Sequence, residues 1–211
     1  MSAPTPSPRK RRPHRRDQIL AAAVELFHER GYHATGMDEI GAAAGITGPG
    51  IYRHFRNKEE ILETLLKEQG ARILEEVQAI VAESVAAAET LEALADLYAT
   101  SLVENPSLAV VAVYERRTLS PDTRAAIERM ERRNIQEWVK VLIDVRPELP
   151  EAEALVMVHA ALGMGVAICN YKSGLDDASL AAVIRSMVLA ALQRPPVAKR
   201  RRRLSRARRS A

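Results

Sequence analysis

The stretch that decides the fold is Gly36-Met37-Asp38-Glu39-Ile40-Gly41-Ala42-Ala43-Ala44-Gly45-Ile46-Thr47-Gly48-Pro49-Gly50-Ile51-Tyr52-Arg53-His54-Phe55. Thr35-Gly36-Met37-Asp38 has the form of a capping box, so a helix is expected from Gly36 to just before Gly45. Met37, Ile40 and Ala44 make its inner face. A very short helix follows, capped by Thr47, with Ile51 and Phe55 inward at i, i+4. Two short helices joined at Ala44-Gly45-Ile46 have the layout of a helix-turn-helix, whose second helix enters the major groove.

Outward from this stretch the pattern stays helical. Ile19, Ala23, Leu26 and Phe27 line one face of a first helix that stops at Gly31. Asn57 caps a long helix starting at Lys58, with apolar positions from Ile61 through Ile80. Five more follow: Leu91–Glu104, Ser107–Leu119, Pro121–Val145, Pro150–Lys172 and Asp177–Leu192. The fold class expected is all-α, with about nine helices and no alternating strand pattern. The expected division is a basic arm over 1–14, a helix-turn-helix domain over 15–66 with its motif at 36–55, a second helical domain over 67–193, and a basic tail over 194–211.

Composition agrees. Of 211 residues 47% are apolar, 27% charged and only 4% aromatic, which favours helical globular material over sheet. The lone Cys169 excludes an internal disulfide framework or a Cys-rich metal site. Ala154 to Cys169 is too short, and too interrupted by His159, to read as a membrane span; a buried helix is expected there. No apolar segment follows the basic N-terminus, so a cytoplasmic, nucleoid-associated protein without a membrane partner is expected.

Charge is segregated. Residues 1–16 hold six Lys/Arg and residues 194–211 hold nine, with no acid in either. The body between them carries 16 basic against 27 acidic side chains. An acidic body with two cationic tails points to a polyanionic partner.

Enzyme signatures fail on spacing. His28 and His33 are five apart with Gly31 between them, not four apart on one helical face, so no zinc site follows. Gly45, Gly48 and Gly50 follow no strand and do not make a phosphate loop. No catalytic residue, metal or cofactor is expected.

The string Ala34-Thr35-Gly36-Met37-Asp38-Glu39-Ile40, then Ala43-Ala44-Gly45-Ile46-Thr47, then Ile51-Tyr52-Arg53-His54-Phe55-Arg56-Asn57-Lys58-Glu59-Glu60-Ile61-Leu62 resembles the DNA-binding domain of the TetR family of bacterial repressors. The resemblance implies a homodimer that binds a palindromic operator and releases it when a small molecule enters the C-terminal domain. It places groove and phosphate contacts on Thr35, Thr47, Gly48, Pro49, Gly50, Tyr52, His54 and Lys58, with Arg16 and Arg53 added as cations beside them. A lysine in the first turn of a helix opposes the helix dipole, which a nearby phosphate would account for. Gly48-Pro49-Gly50 carries no side-chain donor, so base readout falls to Thr47, Tyr52, Arg53 or His54, or to close backbone approach. Arms such as Arg9 to Arg16 can track the DNA backbone or enter the minor groove. The rival reading is a protein that coats nucleic acid non-specifically through its tails.

For the effector, polar groups on apolar helix faces mark candidate contacts: Tyr98, Tyr114, Asn134, Trp138 and His159. Arg116, Arg117, Arg132 and Arg133 add guanidinium forks suited to phosphates. The run Tyr114 to Leu119 loosely resembles family members that sense acyl-CoA thioesters, so the expected effector is acyl-CoA-like, with a neutral drug-like or sterol-like hydrophobe as the alternative. Small residues in the Pro150–Lys172 helix suggest close packing at a dimer interface, on Ala161, Gly165 and Ile168.

Overall fold

The computed structural model describes residues 14–46, 48–83 and 85–193. Thr47, the arm up to residue 13 and the tail from 194, all given roles by the sequence, lie outside them. The elements are α1 (Arg15–Arg30), α2 (Met37–Ala43), α3 (Gly48–Ile51), α4 (Lys58–Glu83), α5 (Ala87–Glu104), α6 (Pro106–Tyr114), a 3-10 turn (Glu115–Thr118), α7 (Pro121–Val145), α8 (Glu151–Ile168) and α9 (Asp177–Gln193). The described residues contain no strand.

Local signals set most boundaries. Gly31 ends α1 at φ 81°, its N–H donating to Phe27 O. The α2 cap is Gly36, and Glu39 accepts from its backbone N–H at 2.8 Å. Gly45 takes φ 66° in the turn between α2 and α3, a conformation side chains disfavour. Asn57 caps α4 by accepting from Glu60 N at 2.9 Å. Pro106 opens α6 one residue before the expected Ser107, and Pro121 opens α7 behind Ser120.

The helix expected from Ser107 to Leu119 is instead two pieces, because the chain tightens into the 3-10 turn after Tyr114. There the Thr118 hydroxyl donates to Glu115 O at 2.5 Å, competing with helical pairing. The α8 helix stops at Ile168, four residues short of the expected Lys172.

Two apolar cores form. The first gathers Ile19, Phe27, Ile40, Ile51, Phe55, Ile61 and Leu62 from α1 to α4, and it also takes Val111, Leu119 and Ile127. The second packs Leu91, Leu94, Trp138, Leu142, Ala154, Val158, Ala161 and Ile184. The α4 helix runs unbroken through Leu66-Lys67, the expected domain boundary, and packs against both α1 and α7. Through α4, and through α1 against α6, the N-terminal helices are seated on the second core rather than strung from it.

Candidate nucleic-acid interface and effector cavity

On the short α2–α3 unit, Ile51 and Phe55 are buried, which leaves Tyr52, Arg53 and His54 facing solvent, with Tyr52 52% exposed. Pro49 is exposed, and Gly48 and Gly50 are half-buried. This surface presents an aromatic hydroxyl, a guanidinium and an imidazole without a competing ion pair among the described residues. Such groups suit phosphate and base edges.

Three other expected DNA contacts are engaged elsewhere. Thr35 is buried, and its hydroxyl faces the Gly31 and Leu26 carbonyls at 2.9 and 3.3 Å. Lys58 directs its ammonium at three backbone carbonyls: Tyr32 O at 2.8 Å, Thr35 O at 2.9 Å and His33 O at 3.2 Å. An ammonium has three donors, and all three are committed. It also sits 4.5 Å from the centre of the Tyr32 ring. The open carbonyls of the α1–α2 turn thus give the lysine at the start of α4 partners within the protein. Arg16 pairs with Glu68 at 2.7 Å and lies over the Phe55 ring, so it braces α1 against α4.

A cavity of about 220 Å³ opens among α4, α5, α6, α7 and α8. Its walls are apolar, from Leu66, Ile73, Leu102, Leu108, Ile127, Met130 and Val166. A smaller void of about 30 Å³ adjoins it beside Trp138 and shares Ile73, Tyr98, Ser101 and Asn134 with it. Ser101 Oγ and Asn134 Oδ1 are buried with no hydrogen-bond partner. The Tyr98 hydroxyl donates to Leu162 O, its ring stands edge-on to Trp138, and burial pushes its pKa up.

Arg116 and Glu131 line the same cavity as a bidentate pair at 2.5 and 2.8 Å. Burial raises the Glu131 carboxyl above its ordinary value, and the Arg116 charge opposes that rise without cancelling it.

Of the nine expected ligand residues, Tyr98, Arg116, Asn134 and Trp138 meet at these voids. The rest do not. Tyr114, Arg117, Arg132 and Arg133 are exposed, Arg132 facing Glu128 at 3.8 Å, so the four arginines do not converge. His159 is exposed on the outer face of α8. Ser101, Gln69 and Glu131 line the cavity without having been singled out. Ser101 had a signal: a small polar residue one turn from Tyr98 on an otherwise apolar helix face.

The small residues of α8 also turn out differently. Ala161 is fully buried, and a Cβ on Gly165 would lie 2.6 Å from Tyr98 and Leu102, so both face their own subunit's core. Ile168 is half-buried against that core. The opposite stripe is bare: Leu155, Val156 and Met164 on α8, with Val183 and Met187 on α9, are exposed. By length and hydropathy α8 could cross a membrane, yet its inner face packs on α7 and α9.

Contacts link cavity and DNA-binding domain. Glu115, next to Arg116, accepts from Tyr32 N at 3.2 Å. Ser107 donates to Glu25 at 2.8 Å, and Glu63 on α4 accepts from Ser120 and Thr123 at 2.9 and 2.7 Å.

Comparison with known proteins identifies the N-terminal part of the chain. Residues 19–65 match the model for bacterial regulatory proteins of the tetR family. Over those residues the chain carries a tetR-family domain. The Fatty acid metabolism regulator protein of Bacillus subtilis is 34% identical over 110 residues, 52% of this chain and 57% of that protein. The transcriptional activator FasR of Mycolicibacterium smegmatis is 50% identical over 56 residues, 26% of each chain. The alignments thus span about half or less of these curated relatives. Among TetR-family structures, FadR from Bacillus subtilis in complex with stearoyl-CoA superposes with a TM-score of 0.66 at 25% identity, covering 84% of this chain and 97% of that one.

Proposed function

We propose that this protein is a TetR-family one-component transcriptional repressor that binds a palindromic operator as a homodimer in the cytoplasm. In this reading a small acyl-CoA-like molecule entering the cavity between α4 and α8 releases the DNA. The carrying observation is the exposed Tyr52-Arg53-His54 edge, held by two buried anchors, on a domain whose Tyr32 N–H donates to Glu115 beside the cavity-lining Arg116. Relatives named for fatty-acid regulation, and one solved with stearoyl-CoA, support the ligand class.

Arg116 is the cation at the cavity wall, and an anionic head there competes with Glu131 for its fork. Freed from Glu131, Arg116 shifts the 3-10 turn, and Glu115 moves with it away from Tyr32. The dimer is placed on the bare apolar stripe of α8 and α9, since contiguous exposed apolar surface of this kind marks a partner contact. A homodimer sets two α3 edges one helical turn apart, roughly 34–36 Å. The basic tails add sequence-independent affinity.

Selecting bound sequences from a random duplex pool tests this. The expected product is one inverted repeat, bound by the dimer and released by an acyl-CoA. Recovery of unenriched sequences would favour the coating role instead.

A further inference from the structure

We infer that the effector cavity is built for a hydroxylated ligand: an apolar body whose hydroxyl sits between Ser101 and Asn134, with its anionic end toward Arg116. This rests on the reading of the cavity as the effector site and names the ligand chemistry within it.

Three observations carry the inference. Ser101 Oγ and Asn134 Oδ1 are both buried and both without a hydrogen-bond partner, although neighbouring Tyr98 finds one in Leu162 O. Both residues border the larger cavity and the small void beside Trp138, so they stand at the throat between the two. Apolar side chains form most of the remaining wall. An unpaired buried polar atom is costly, and two at one constriction specify a polar group there.

The chemistry of the pair narrows that group. Asn134 Oδ1 can only accept, whereas the Ser101 hydroxyl can donate or accept. A ligand hydroxyl donates to Asn134 and accepts from Ser101, satisfying both. A ketone accepts from Ser101 and leaves Asn134 Oδ1 unpaired; a plain alkyl chain leaves both unpaired. Sites of this sort reject the analogue lacking the group far more strongly than an apolar pocket rejects an extra methylene.

Position and size constrain the rest. The Arg116 and Glu131 side chains are 31% and 40% exposed, so this pair lies toward solvent while Trp138 lies 1% exposed at the inner end. The ligand therefore enters with its anionic end outward and its hydroxyl inward. At about 220 Å³ the cavity falls below the roughly 300–1,000 Å³ of drug-sized pockets, which suits a short or compact body.

The test is calorimetry on the full chain with octanoate, its monohydroxy isomers and the matching oxo-octanoates. At least one hydroxy isomer should bind ten-fold or more tighter than both octanoate and its oxo counterpart. Ser101→Ala and Asn134→Leu should each erase that preference, with octanoate binding retained or tightened and the folded helical signal unchanged. Octanoate binding as well as every hydroxy isomer, an oxo isomer matching the best hydroxy one, or a preference surviving both substitutions would overturn the inference. Absence of binding by the whole panel would overturn it too. A hydroxy ligand that binds with the expected preference but does not release selected DNA leaves the inference standing and removes the effector reading beneath it.

Discussion

The turn between α1 and α2 and the throat beside Trp138 both gather polar groups against a hydrophobic core, and they differ in saturation. At the turn, Lys58 spends every donor on carbonyls, Thr35 turns its hydroxyl to Gly31, and Glu115 takes the Tyr32 N–H. At the throat, Ser101 and Asn134 are left with unpaired buried atoms. A saturated cluster holds one geometry. An unsaturated one in an apolar cavity leaves room for a polar partner, so the first region works as a fixed brace and the second is the one proposed to take a ligand.

The largest expected effect is at the brace. Lys58→Met keeps the aliphatic stem but removes three charge-assisted hydrogen bonds, leaving carbonyls of the turn open. A loss of about 3 kcal/mol is expected in urea unfolding, since a bond to a charged group is worth roughly 1.5–3 kcal/mol. If Lys58→Met keeps full stability and loses only DNA affinity, the brace is really a phosphate contact.

Next comes the close approach under the cavity. Gly165→Ala puts a methyl group 2.6 Å from Tyr98 and Leu102, so a cost of about 1–3 kcal/mol is expected from overpacking. The dimer should survive, as measured by light scattering, because this position faces inward. Val156→Asp, on the stripe where Val156 is 67% exposed, should instead yield monomers with a nearly unchanged unfolding midpoint per subunit.

A smaller effect is expected where α4 meets α7. Hydrogen bonds from Thr123, then Ser120 and Lys67, hold the Glu63 carboxyl below its ordinary 4.5, against a smaller opposing effect of burial. A lowered folded-state value means that its stabilisation is present above pH 4.5 and is lost as pH falls through that folded value. Acid unfolding monitored by circular dichroism should show Glu63→Gln with a shallower loss below pH 4.5 than the parent. An identical pH profile would remove Glu63 from the coupling between domains.

The smallest effect belongs to the receptor. Ser101→Ala should change stability by less than about 1 kcal/mol in either direction, because it deletes an unpaired group rather than a bond. A large loss would mean that Ser101 is structural.

The sequence showed the all-helical order, the helix-turn-helix and most caps, because Gly31, Gly45, Asn57, Pro106 and Pro121 act within a turn of themselves. It misplaced features that depend on which way a helix rotates in its packing. Small residues at Ala161 and Gly165 look alike whether they meet a partner subunit or Tyr98. Likewise Arg116, Arg117, Arg132 and Arg133 cluster along the chain, but only Arg116 turns inward, to Glu131. Lys58 was legible as anomalous, but its carbonyl partners were not, since they lie 23 to 26 residues earlier.

In the proposed function the exposed Tyr52-Arg53-His54 turn after α3 reads DNA. The most direct measurement is fluorescence anisotropy of the full chain on its selected inverted repeat and on scrambled duplex, for the parent, Tyr52→Phe, Tyr52→Ala and Arg53→Ala. Tyr52→Ala and Arg53→Ala should cut affinity for the repeat ten-fold or more while scrambled-duplex binding through the tails stays within about two-fold, with Tyr52→Phe falling between. Repeat and scrambled duplex weakening together, or both staying at parental affinity, would contradict it.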